Sequence, residues 1–527
     1  MNQGAPDRYR ALALGALAAL LYLVTAPAVV NPDGLGYLKL LPHNFAAGHL
    51  LYMPLLRAAT HLFGGDGLRA GRFVNAMLGG TGVVLTYGIV RRALFSLPLG
   101  RPFSAADIRF AATFAAAGLA LSYGYWVQGA DLEVYAAAMV ALLSTVRLLL
   151  AYQVRPTAPR ALAVGVLLGV AVLCHLEHVL LTPFVAAWVW SYAPAPRSRV
   201  PHVALAVGTG GAIAIAAYAW ATLVVRGHDL SGALGWIATA QHGFPYGGGL
   251  YRVADAIYGL AKAIVYSPYL FESDAQRLLG QFLLGLAPLV ALGIGAFAGR
   301  RALPPLQWRL WSSWVAPYAA FGVVFFGSDT ERWLFVLPAL WLLAAVTLAL
   351  HPGRARVAVW VLAYLAAANL GTGIWPAHRE SSPTRARAEA ASRLLHDGDL
   401  LIFPGHSWDE YVSYYAAVKV EPFPVAYYAA RDGLPACWVR LDREIAAAEA
   451  RGGQVLVVRV FDEDDPSPND PRGFDELSAL GLSKNALRER LRAIGRPVTV
   501  GAAVPSGDGT QVVRLDSTPG AVINQRQ

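Results

Sequence analysis

Four short segments of the sequence place acids, histidines or an arginine between long apolar runs, and we take them as the candidate sites of chemistry. Ionisable side chains are costly at membrane depth, so those that occur there are functional hypotheses by default. A carboxylate can take or return a proton, an imidazole can hydrogen bond or ligate a metal, and a guanidinium can hold a phosphate through two parallel hydrogen bonds. The segments are residues 31–37, 126–135, 174–178 and 328–333.

The first segment holds Asp33 and Tyr37 directly after the first apolar run. A proline and two glycines around Asp33 predict a turn that holds its carboxylate at the membrane surface. An Asp at such a place also serves as an ordinary turn residue or helix cap, so the spacing leaves a catalytic and a structural role open. Tyr37 is a candidate substrate-binding residue of the same turn.

The second segment contains two acids, Asp131 and Glu133. Residues two apart do not share a face of a helix, so one acid is predicted to cap the helix that follows and the other to face inward. Both could instead simply favour a helix N-terminus electrostatically. Because one cap is sufficient, the second acid is the stronger candidate for a functional role.

The third segment, with His175, Glu177 and His178, interrupts an apolar stretch between Ala161 and Trp190. Each arm of about 16 residues spans about 24 Å as a helix, which is less than the roughly 30 Å of bilayer hydrocarbon. The turn is therefore predicted to lie recessed below the membrane surface. Its side chains could bind a divalent metal, hydrogen bond to a substrate, or be satisfied structural histidines.

The fourth segment begins a late apolar run with Ser328, Glu331 and Arg332. Ser328 and Glu331 have the spacing of a capping box, which is a sufficient structural reason for both. Arg332 has no such explanation. Its guanidinium could hold a phosphate bidentately.

The composition indicates what must position these segments. The chain has 527 residues, of which 56% are hydrophobic and 15% charged, with a mean hydropathy of +0.44. Ordinary globular domains carry about a quarter charged residues. We therefore predict a multi-pass α-helical membrane protein, with a small C-terminal α/β domain outside the membrane.

Nine apolar runs are long enough for membrane spans, and the interrupted stretch before Trp190 adds two short helices, which gives about eleven crossings. The nine runs lie near residues 11–30, 73–90, 110–125, 134–151, 203–225, 278–298, 310–326, 333–350 and 357–374.

Charge sets the predicted orientation. Up to Trp375 the chain has 13 Asp and Glu against 25 Lys and Arg, and the basic residues cluster in alternate loops. Lys and Arg mark the cytoplasmic side, so the N-terminus is predicted to be cytoplasmic, behind an uncleaved first span, and the tail to be outside. The basic residues lie in short clusters between apolar runs, which argues against a nucleic-acid partner. The two cysteines, Cys174 and Cys437, exclude a disulfide framework.

Two domains follow from this pattern, residues 1–375 in the membrane and residues 376–527 outside. The tail alternates strand-like and helix-like pieces, with strands expected at residues 399–404, 454–460 and 511–515 and helices at 441–451 and 476–494. In the first long outer loop, apolar residues mixed with basic residues and histidines, among them His49, predict amphipathic helices in the membrane interface.

Four stretches of the sequence, taken in order, each resemble a corresponding stretch of a known superfamily. Residues 47–56 (AGHLLYMPLL) and 72–75 (RFVN) form one pair, and residues 125–136 (YWVQGADLEVYA) and 331–338 (ERWLFVLP) follow. Together with an acid in the first outer loop, these stretches resemble the GT-C superfamily of integral-membrane glycosyltransferases over roughly residues 8–350. Protein O-mannosyltransferases and lipid A aminoarabinose transferase are among its members.

The resemblance implies a glycosyltransferase that uses a polyprenyl-phosphate-linked sugar, with a lipid, glycan or protein as acceptor. It implies Asp33 as the general base and Glu133 or Asp131 as residues that orient the acceptor or the sugar. It also implies substrate binding by Arg332, by the hairpin residues His175, Glu177 and His178, and by His49. The superfamily often has paired acids in the first loop, whereas Gly34 follows Asp33 here. A requirement for a divalent cation, Mg or Mn, therefore stays open. The expected location is a bacterial inner membrane or a plasma membrane.

Three other functions remain open from the sequence. A transporter or flippase of a lipid-linked substrate could use the same buried acids, although such proteins often have an internal repeat of spans, which the sequence does not show. A ligase of the O-antigen type would use a diphosphate-linked donor, for which Arg332 alone provides few positive charges. A purely structural membrane protein would explain the spans but not the acids at their outer ends.

Overall fold

The computed structural model describes residues 4–41, 45–96, 103–238, 250–267, 274–325, 327–351, 353, 355–379, 389, 391–405, 411–412, 414, 418–458, 460–461, 477, 480–502 and 511–517. The chain forms two compact units. We call them the membrane unit (Met1–Pro27 with Leu40–Arg379) and the sheet unit (Ala28–Lys39 with Glu380–Gln527). The predicted boundary at residue 375 stays a prediction, and in the structure residues 28–39 also belong with the C-terminal residues.

Helices make up most of the described chain. They are α1 (Gly4–Val24), α2 (Pro32–Leu40), α3 (Tyr52–Leu62), α4 (Gly67–Ser96), α5 (Ala105–Leu121), α6 (Tyr123–Ala130), α7 (Tyr135–Val154), α8 (Ala158–Cys174), α9 (Thr182–Tyr192), α10 (Arg199–Val203), α11 (Thr209–Ala219), α12 (Leu230–Ala238), α13 (Leu250–Ile264), α14 (Asp274–Ala302), α15 (Pro305–Val324), α16 (Leu337–Leu350), α17 (Ala355–Asn369), α18 (Trp375–Arg379), α19 (Val425–Asp432), α20 (Leu434–Ala450) and α21 (Lys484–Ile494). Wider π-helical turns at Ala204–Gly208, Trp220–Val225 and Leu370–Ile374 join some of them.

By length and composition, four helices of the described chain can cross a membrane: 67–96, 135–154, 196–225 and 355–379. A fifth span is possible if α5 and α6, which meet at an angle of 65°, count as one broken span. Shorter apolar helices include α8 and α16. The multi-pass helical architecture is thus present, and the number of eleven crossings stays a prediction.

The hairpin predicted between Ala161 and Trp190 is present as two short helices, α8 and α9. A 3₁₀ turn at Leu176–Leu181 separates them. Two backbone hydrogen bonds tie this turn to the first loop: Leu176 N–H donates to the Gly48 carbonyl and Leu51 N–H donates to the Leu173 carbonyl, each at 2.9 Å. The turn is therefore fixed against the segment that carries His49.

The break between α5 and α6 has polar partners of its own. Trp341 Nε1 donates to Ser122 Oγ at 3.0 Å, and Ser122 Oγ donates to the Gly118 carbonyl at 2.8 Å. The Asn369 amide donates to the Leu121 carbonyl at 2.7 Å. Backbone groups freed where a helix breaks must find partners in an apolar environment. These side chains supply hydrogen-bond partners at the break and so stabilise the bend.

Helices α1, α4 and α6 approach closely around one aromatic ring. A methyl group at Gly79 of α4 would lie only 2.8 Å from the Tyr22 ring, and one at Gly129 of α6 would lie 2.5 Å from it. Tyr22 also donates to the Ala120 carbonyl at 2.9 Å. Only glycine fits at these two contacts, which fixes the position of α6 and of the acidic segment after it.

The described residues of the sheet unit include five strands: β1 (Leu400–Phe403), β2 (Glu421–Pro424), β3 (Val455–Val458), β4 (Gly495–Ala502) and β5 (Gln511–Ser517). They form one sheet in the order β2-β1-β3-β5-β4, with β2, β1 and β3 parallel and β5 and β4 antiparallel. Strands β1 and β3 are buried along their whole length and are continuous apolar runs, as parallel strands usually are, whereas β2 begins at the exposed Glu421.

Three of these strands lie where the sequence predicts them, near residues 399–404, 454–460 and 511–515. The predicted helices are also present, although α20 begins earlier, at Leu434, and α21 begins at Lys484, after the Ser483 cap. Asp399, which is 1% exposed, accepts hydrogen bonds from the Gln454 and His396 amides at 2.7 Å each. It thereby fixes the starts of β1 and β3.

Candidate functional site

Arg332 lies among acids in the 3₁₀ turn Thr330–Trp333, which precedes α16. Its Nη1 is 3.5 Å from Glu177 Oε2, its Nε is 3.4 Å from Asp329 Oδ2, and its side chain is 13% exposed. Charge-assisted N–H···O bonds are usually about 2.7–2.9 Å long. Both ion pairs are longer than that, and Arg332 Nε makes no hydrogen bond in the described structure. The guanidinium is thus held electrostatically but retains hydrogen-bonding capacity.

The turn that presents Arg332 differs from the predicted capping box. Asp329, not Ser328, is the cap, because its Oδ1 accepts from the Glu331 amide at 3.1 Å. The Glu331 side chain points to other helices instead of back to the cap. Trp314 Nε1 of α15 donates to the Phe335 carbonyl at 3.0 Å and holds the end of the same turn.

Glu331 connects the turn to the acidic segment between α6 and α7. Tyr135 Oη donates to Glu331 Oε2 at 2.7 Å, and Gln128 Nε2 donates to Glu331 Oε1 at 3.2 Å. Gln128 and Tyr135 line a narrow crevice together with Leu334, and Gln128 Oε1 is buried without a hydrogen bond in the described structure.

His175 and Glu177 lie together in the turn between α8 and α9. The Glu177 amide donates to His175 Nδ1 at 3.3 Å, so that nitrogen is an acceptor and the ring proton of the neutral form is on Nε2. The distance of 4.0 Å from His175 Nδ1 to Glu177 Oε2 then joins two acceptors and is not an ion pair. Burial raises the pKa of Glu177 to about 7, and the adjacent Arg332 guanidinium opposes that rise.

His178 is a structural residue in this arrangement. Its side chain is fully buried, its Nε2 donates to the Ala138 carbonyl at 3.1 Å, and its Nδ1 accepts from Tyr318 Oη at 2.7 Å. A carbonyl only accepts, which settles these roles. Both ring nitrogens are therefore used within the protein, which contrasts with the predicted part in substrate binding.

His49 joins the cluster from the first loop. Its ring packs on His175 with centroids 4.6 Å apart, and Tyr135 packs on the other side of His175 at 5.0 Å. Phe335 completes the group at 5.3 Å from His175. The sequence places these four rings in four separate segments, and the structure brings them to one end of the membrane unit.

Asp131 and Glu133 do not divide their roles as predicted. Helix α7 begins after Val134 and has no side-chain cap, and Asp131 instead follows the end of α6. Its Oδ1 accepts from the Leu132 amide at 2.8 Å and lies 3.6 Å from Arg72 Nε. The cap prediction is wrong because Val134 occupies the cap position of α7, and its apolar side chain makes no hydrogen bond to the helix N-terminus.

Glu133 is completely buried in this segment. Asn75 of α4, also completely buried, donates from its amide to the carbonyl oxygens of Asp131 at 2.8 Å and Glu133 at 2.5 Å. Tyr52 Oη lies 3.5 Å from Asn75 Oδ1. This amide therefore fixes the backbone that carries both candidate acids.

Asp33 and Tyr37 belong to the sheet unit and are described with it. Residues 32–40 form α2 rather than the predicted turn, with Asp33 exposed in its first turn. Asn31 Oδ1 accepts from the Asp33 amide at 3.2 Å, so Asn31 occupies the cap position and Pro32 the first helical position, where proline is favoured. The role of Asp33 as a base stays a prediction.

Sequence reasoning missed Asn75, Gln128 and Lys262. The two amides carry no charge and gave no signal, although Asn75 lies in the RFVN stretch and Gln128 in the acidic segment. Lys262 of α13 donates from Nζ to the Ser328 carbonyl at 3.1 Å and lies 5.0 Å from the Tyr266 ring centroid. It brings a second positive charge to the turn that contains Arg332.

A divalent cation was left open by the sequence. Within the part of the chain that the structure describes, no group of three or more His, Cys, Asp or Glu side chains is arranged to hold a metal ion. The residues around Arg332 and Glu177 therefore do not provide the set of ligands that a divalent cation needs. The sequence also has a run of four acids at residues 462–465, and these lie outside the described residues.

Comparison with solved structures identifies similar folds. ArnT from Cupriavidus metallidurans bound to undecaprenyl phosphate has a TM-score of 0.58 at 14% identity, with 95% of this chain and 97% of that chain covered. The archaeal oligosaccharyltransferase AglB from Archaeoglobus fulgidus, in complex with an inhibitory peptide and a dolichol-phosphate, has a TM-score of 0.50 at 13% identity, covering 98% and 75%. The same oligosaccharyltransferase tethered with an acceptor peptide has a TM-score of 0.51 at 13% identity, covering 97% and 74%.

The sequence itself matches no protein-family profile and no curated protein. At identities of 13% and 14% the structural similarity establishes the fold. The apolar helices and these neighbours together indicate an integral membrane protein. The expectation drawn from the four sequence stretches is thus confirmed at the level of the fold, which the chain shares with ArnT and the archaeal oligosaccharyltransferase.

Proposed function

We propose that this chain is a glycosyltransferase of the GT-C type, which moves a sugar from a polyprenyl-phosphate donor to an acceptor hydroxyl at the outer face of a bacterial inner membrane or plasma membrane. The observation that carries the proposal is the cluster around Arg332, set at the end of apolar helices in a GT-C fold. The sheet unit is proposed to lie on the same outer side.

The donor class follows from the chemistry of the cluster. A sugar phosphate on a polyprenyl chain has an anionic head and an apolar tail, so its site needs a positive charge at the edge of the bilayer. Arg332 and Lys262 provide two such charges around one turn. The ArnT structure was solved with undecaprenyl phosphate and the AglB structure with a dolichol-phosphate, which are phosphates on such chains.

The acids around Arg332 support binding that is reversible. Glu177 and Asp329 hold the guanidinium at 3.4–3.5 Å without hydrogen bonding to it in full. A phosphate oxygen can then form the shorter charge-assisted bonds with Arg332, and the acids take the guanidinium back when the carrier leaves. Tyr135 and Gln128 keep Glu331 away from the phosphate by binding its carboxylate.

The chemical step is an in-line displacement with inversion. A general base takes the proton of the acceptor hydroxyl as its oxygen attacks the anomeric carbon, and the phosphate leaves with the bonding electron pair. We assign the base to Asp33, from the sequence resemblance, and the orientation of sugar or acceptor to Glu133 and Asp131. His175, with its proton on Nε2, and His49 are proposed to hydrogen bond to the substrate. No step of the proposal uses a metal.

The test is sugar release from radiolabelled polyprenyl-phosphate mannose, glucose and arabinose by the purified full-length protein. Two variants test the two assignments, Asp33→Asn for the base and Arg332→Gln for the phosphate site. The matched control is Arg69→Gln, because Arg69 lies in the first turn of α4 with an 83% exposed side chain and pairs with Asp66 on the surface. Membrane lipid extract is added as a source of acceptor.

Release by the wild type and by Arg69→Gln, with loss in both other variants, is the expected result. Unchanged release by Asp33→Asn would remove the base assignment and leave the enzyme class. Release from a diphosphate-linked donor but from no monophosphate donor would favour the ligase. Movement of a lipid-linked substrate across proteoliposome membranes without any sugar release would replace the enzyme with a transporter.

A further inference from the structure

Three arginines from three helices converge at the end of the membrane unit opposite the candidate site. Arg92 lies near the end of α4, Arg147 in the second half of α7 and Arg160 in the first turn of α8. On the same helices, Asn75 and Tyr135 lie toward the other end. At 1.5 Å per residue, Asn75 and Arg92 are about 25 Å apart along α4. This arginine cluster is therefore separate from the residues around Arg332.

The three guanidinium groups are close to one another. Arg160 Nη1 donates to the Ala151 carbonyl of α7, one turn after Arg147. A methyl group at Gly88, one turn before Arg92, would collide with Nη1 of Arg147. Helix α4 thus lacks a side chain where the Arg147 guanidinium lies against its backbone, which holds this charge beside Arg92.

No acid balances the cluster. Among the residues that the structure describes, no carboxylate lies within 4.0 Å of any of the three guanidinium groups, and Arg92 Nε is buried without a hydrogen-bond partner. Arg160 Nη1 donates to the Ala151 and Arg155 carbonyl oxygens at 2.9 Å each, so its position is fixed by the backbone.

Arg91, the residue next to Arg92, has the carboxylate partner that the three clustered arginines lack among the described residues. Arg91, at the same end of α4, forms an ion pair with Asp7 at 2.9 Å, and Asp7 is 5% exposed. The preference for basic residues on one side of a membrane explains why arginines occur at this end. It does not explain why three of them, on three helices, converge without an acid when an acid is present for Arg91.

Like charges held together near a membrane are relieved by an anion. Basic pockets between membrane helices bind the phosphate of lipid headgroups, and α4 and α7 are long and apolar enough to cross a membrane, which would place their ends at the level of such headgroups. We propose that Arg92, Arg147 and Arg160 form a binding site for the phosphate headgroup of an anionic membrane lipid, distinct from the proposed donor site.

The test is lipid binding by the purified full-length protein, measured by native mass spectrometry during titration with phosphatidylglycerol, with phosphatidylcholine and inorganic phosphate as the other arms. Arg92→Gln should weaken phosphatidylglycerol binding about fivefold, and Arg147→Gln by a similar factor. Arg91→Gln is the matched control, since it removes the same charge one residue away, where Asp7 already balances it. Its binding should stay at the wild-type level.

Gly88→Ala provides a second variant that changes no charge. The added methyl group displaces the Arg147 guanidinium, so phosphatidylglycerol binding should weaken although the net charge is unchanged. Equal weakening by Arg91→Gln and Arg92→Gln would overturn the site in favour of general surface charge. Equal binding of phosphatidylglycerol and phosphatidylcholine would overturn it as well, and displacement of the lipid by millimolar inorganic phosphate would reassign the site to a free anion.

Discussion

The two ends of α4, α7 and α8 differ in whether the nearby arginines have carboxylate partners. At the candidate site Arg332 has two acids within 3.5 Å and Arg72 lies 3.6 Å from Asp131. At the other end Arg92, Arg147 and Arg160 have no acid within 4.0 Å among the described residues. The same residue type thus marks a neutralised, preorganised site at one end and an excess of positive charge at the other. The arrangement of counter-charges, rather than the presence of arginine, separates the two.

The largest effect is expected from Arg332→Gln. Removing a preorganised charged donor from a group that develops negative charge typically costs about 10²–10³ in rate. Sugar release from a polyprenyl-phosphate donor should fall by at least about 100-fold, with Arg332→Lys recovering part of it. A loss below tenfold would mean that this end of the helices does not hold the phosphate, and would weaken the contrast between the two ends.

Asn75→Ala tests whether the site end depends on buried polar partners. The amide donates to two carbonyl oxygens, which would be left unsatisfied in a fully buried place. Each such loss costs about 1–3 kcal/mol. The free energy of unfolding in detergent should fall by about 2–4 kcal/mol. The same change at exposed Asn485 is the control, and equal stability of both variants would contradict the structural role of Asn75.

Glu177 gives the site end a pH dependence. Its folded-state pKa of about 7 is above the ordinary value of 4.5, so the folded protein holds more protons than the unfolded chain between those pH values. Its contribution to stability therefore falls as the pH rises through that window. The melting temperature of Glu177→Gln relative to the wild type should rise between pH 5 and pH 8. A constant difference would show that this carboxyl does not titrate there.

The smallest effect is expected at the arginine end. In neutral phosphatidylcholine, Arg92→Gln should raise stability by up to about 0.5 kcal/mol because it removes repulsion, whereas Arg91→Gln should lower it by a similar amount because it breaks a partly exposed ion pair. Thermal unfolding of both variants measures the difference. If both variants changed the stability in the same direction, Arg91 and Arg92 would not differ in their electrostatic surroundings.

Sequence reasoning identified most of the elements that position the site. Apolar length predicted the helical architecture, and basic residues on both sides of the interrupted stretch, such as Arg160 and Arg197, predicted that the chain turns back within it, as α8 and α9 do. Strand-like apolar runs gave β1, β3 and β5. These features depend on local pattern, which the sequence carries directly.

The polar details were less predictable because they depend on a shift of one or two residues. The cap of the late turn is Asp329 instead of Ser328, and that shift frees Glu331 to bind Tyr135. The partners of buried amides such as Asn75 lie more than 50 residues away in the chain. No local pattern encodes such pairs, and uncharged side chains do not stand out in an apolar sequence.

The ring of Tyr22 between Gly79 and Gly129 has a consequence for how this architecture can diversify. Even one extra carbon at either glycine would drive the helices apart, so the framework cannot adapt by enlarging side chains there. The turns at residues 45–51, 174–181 and 327–336, which carry His49, Glu177 and Arg332, are places where side chains can change without altering this helix contact. Close packing constrains the helices, so substitutions in these turns are the more direct way to change specificity.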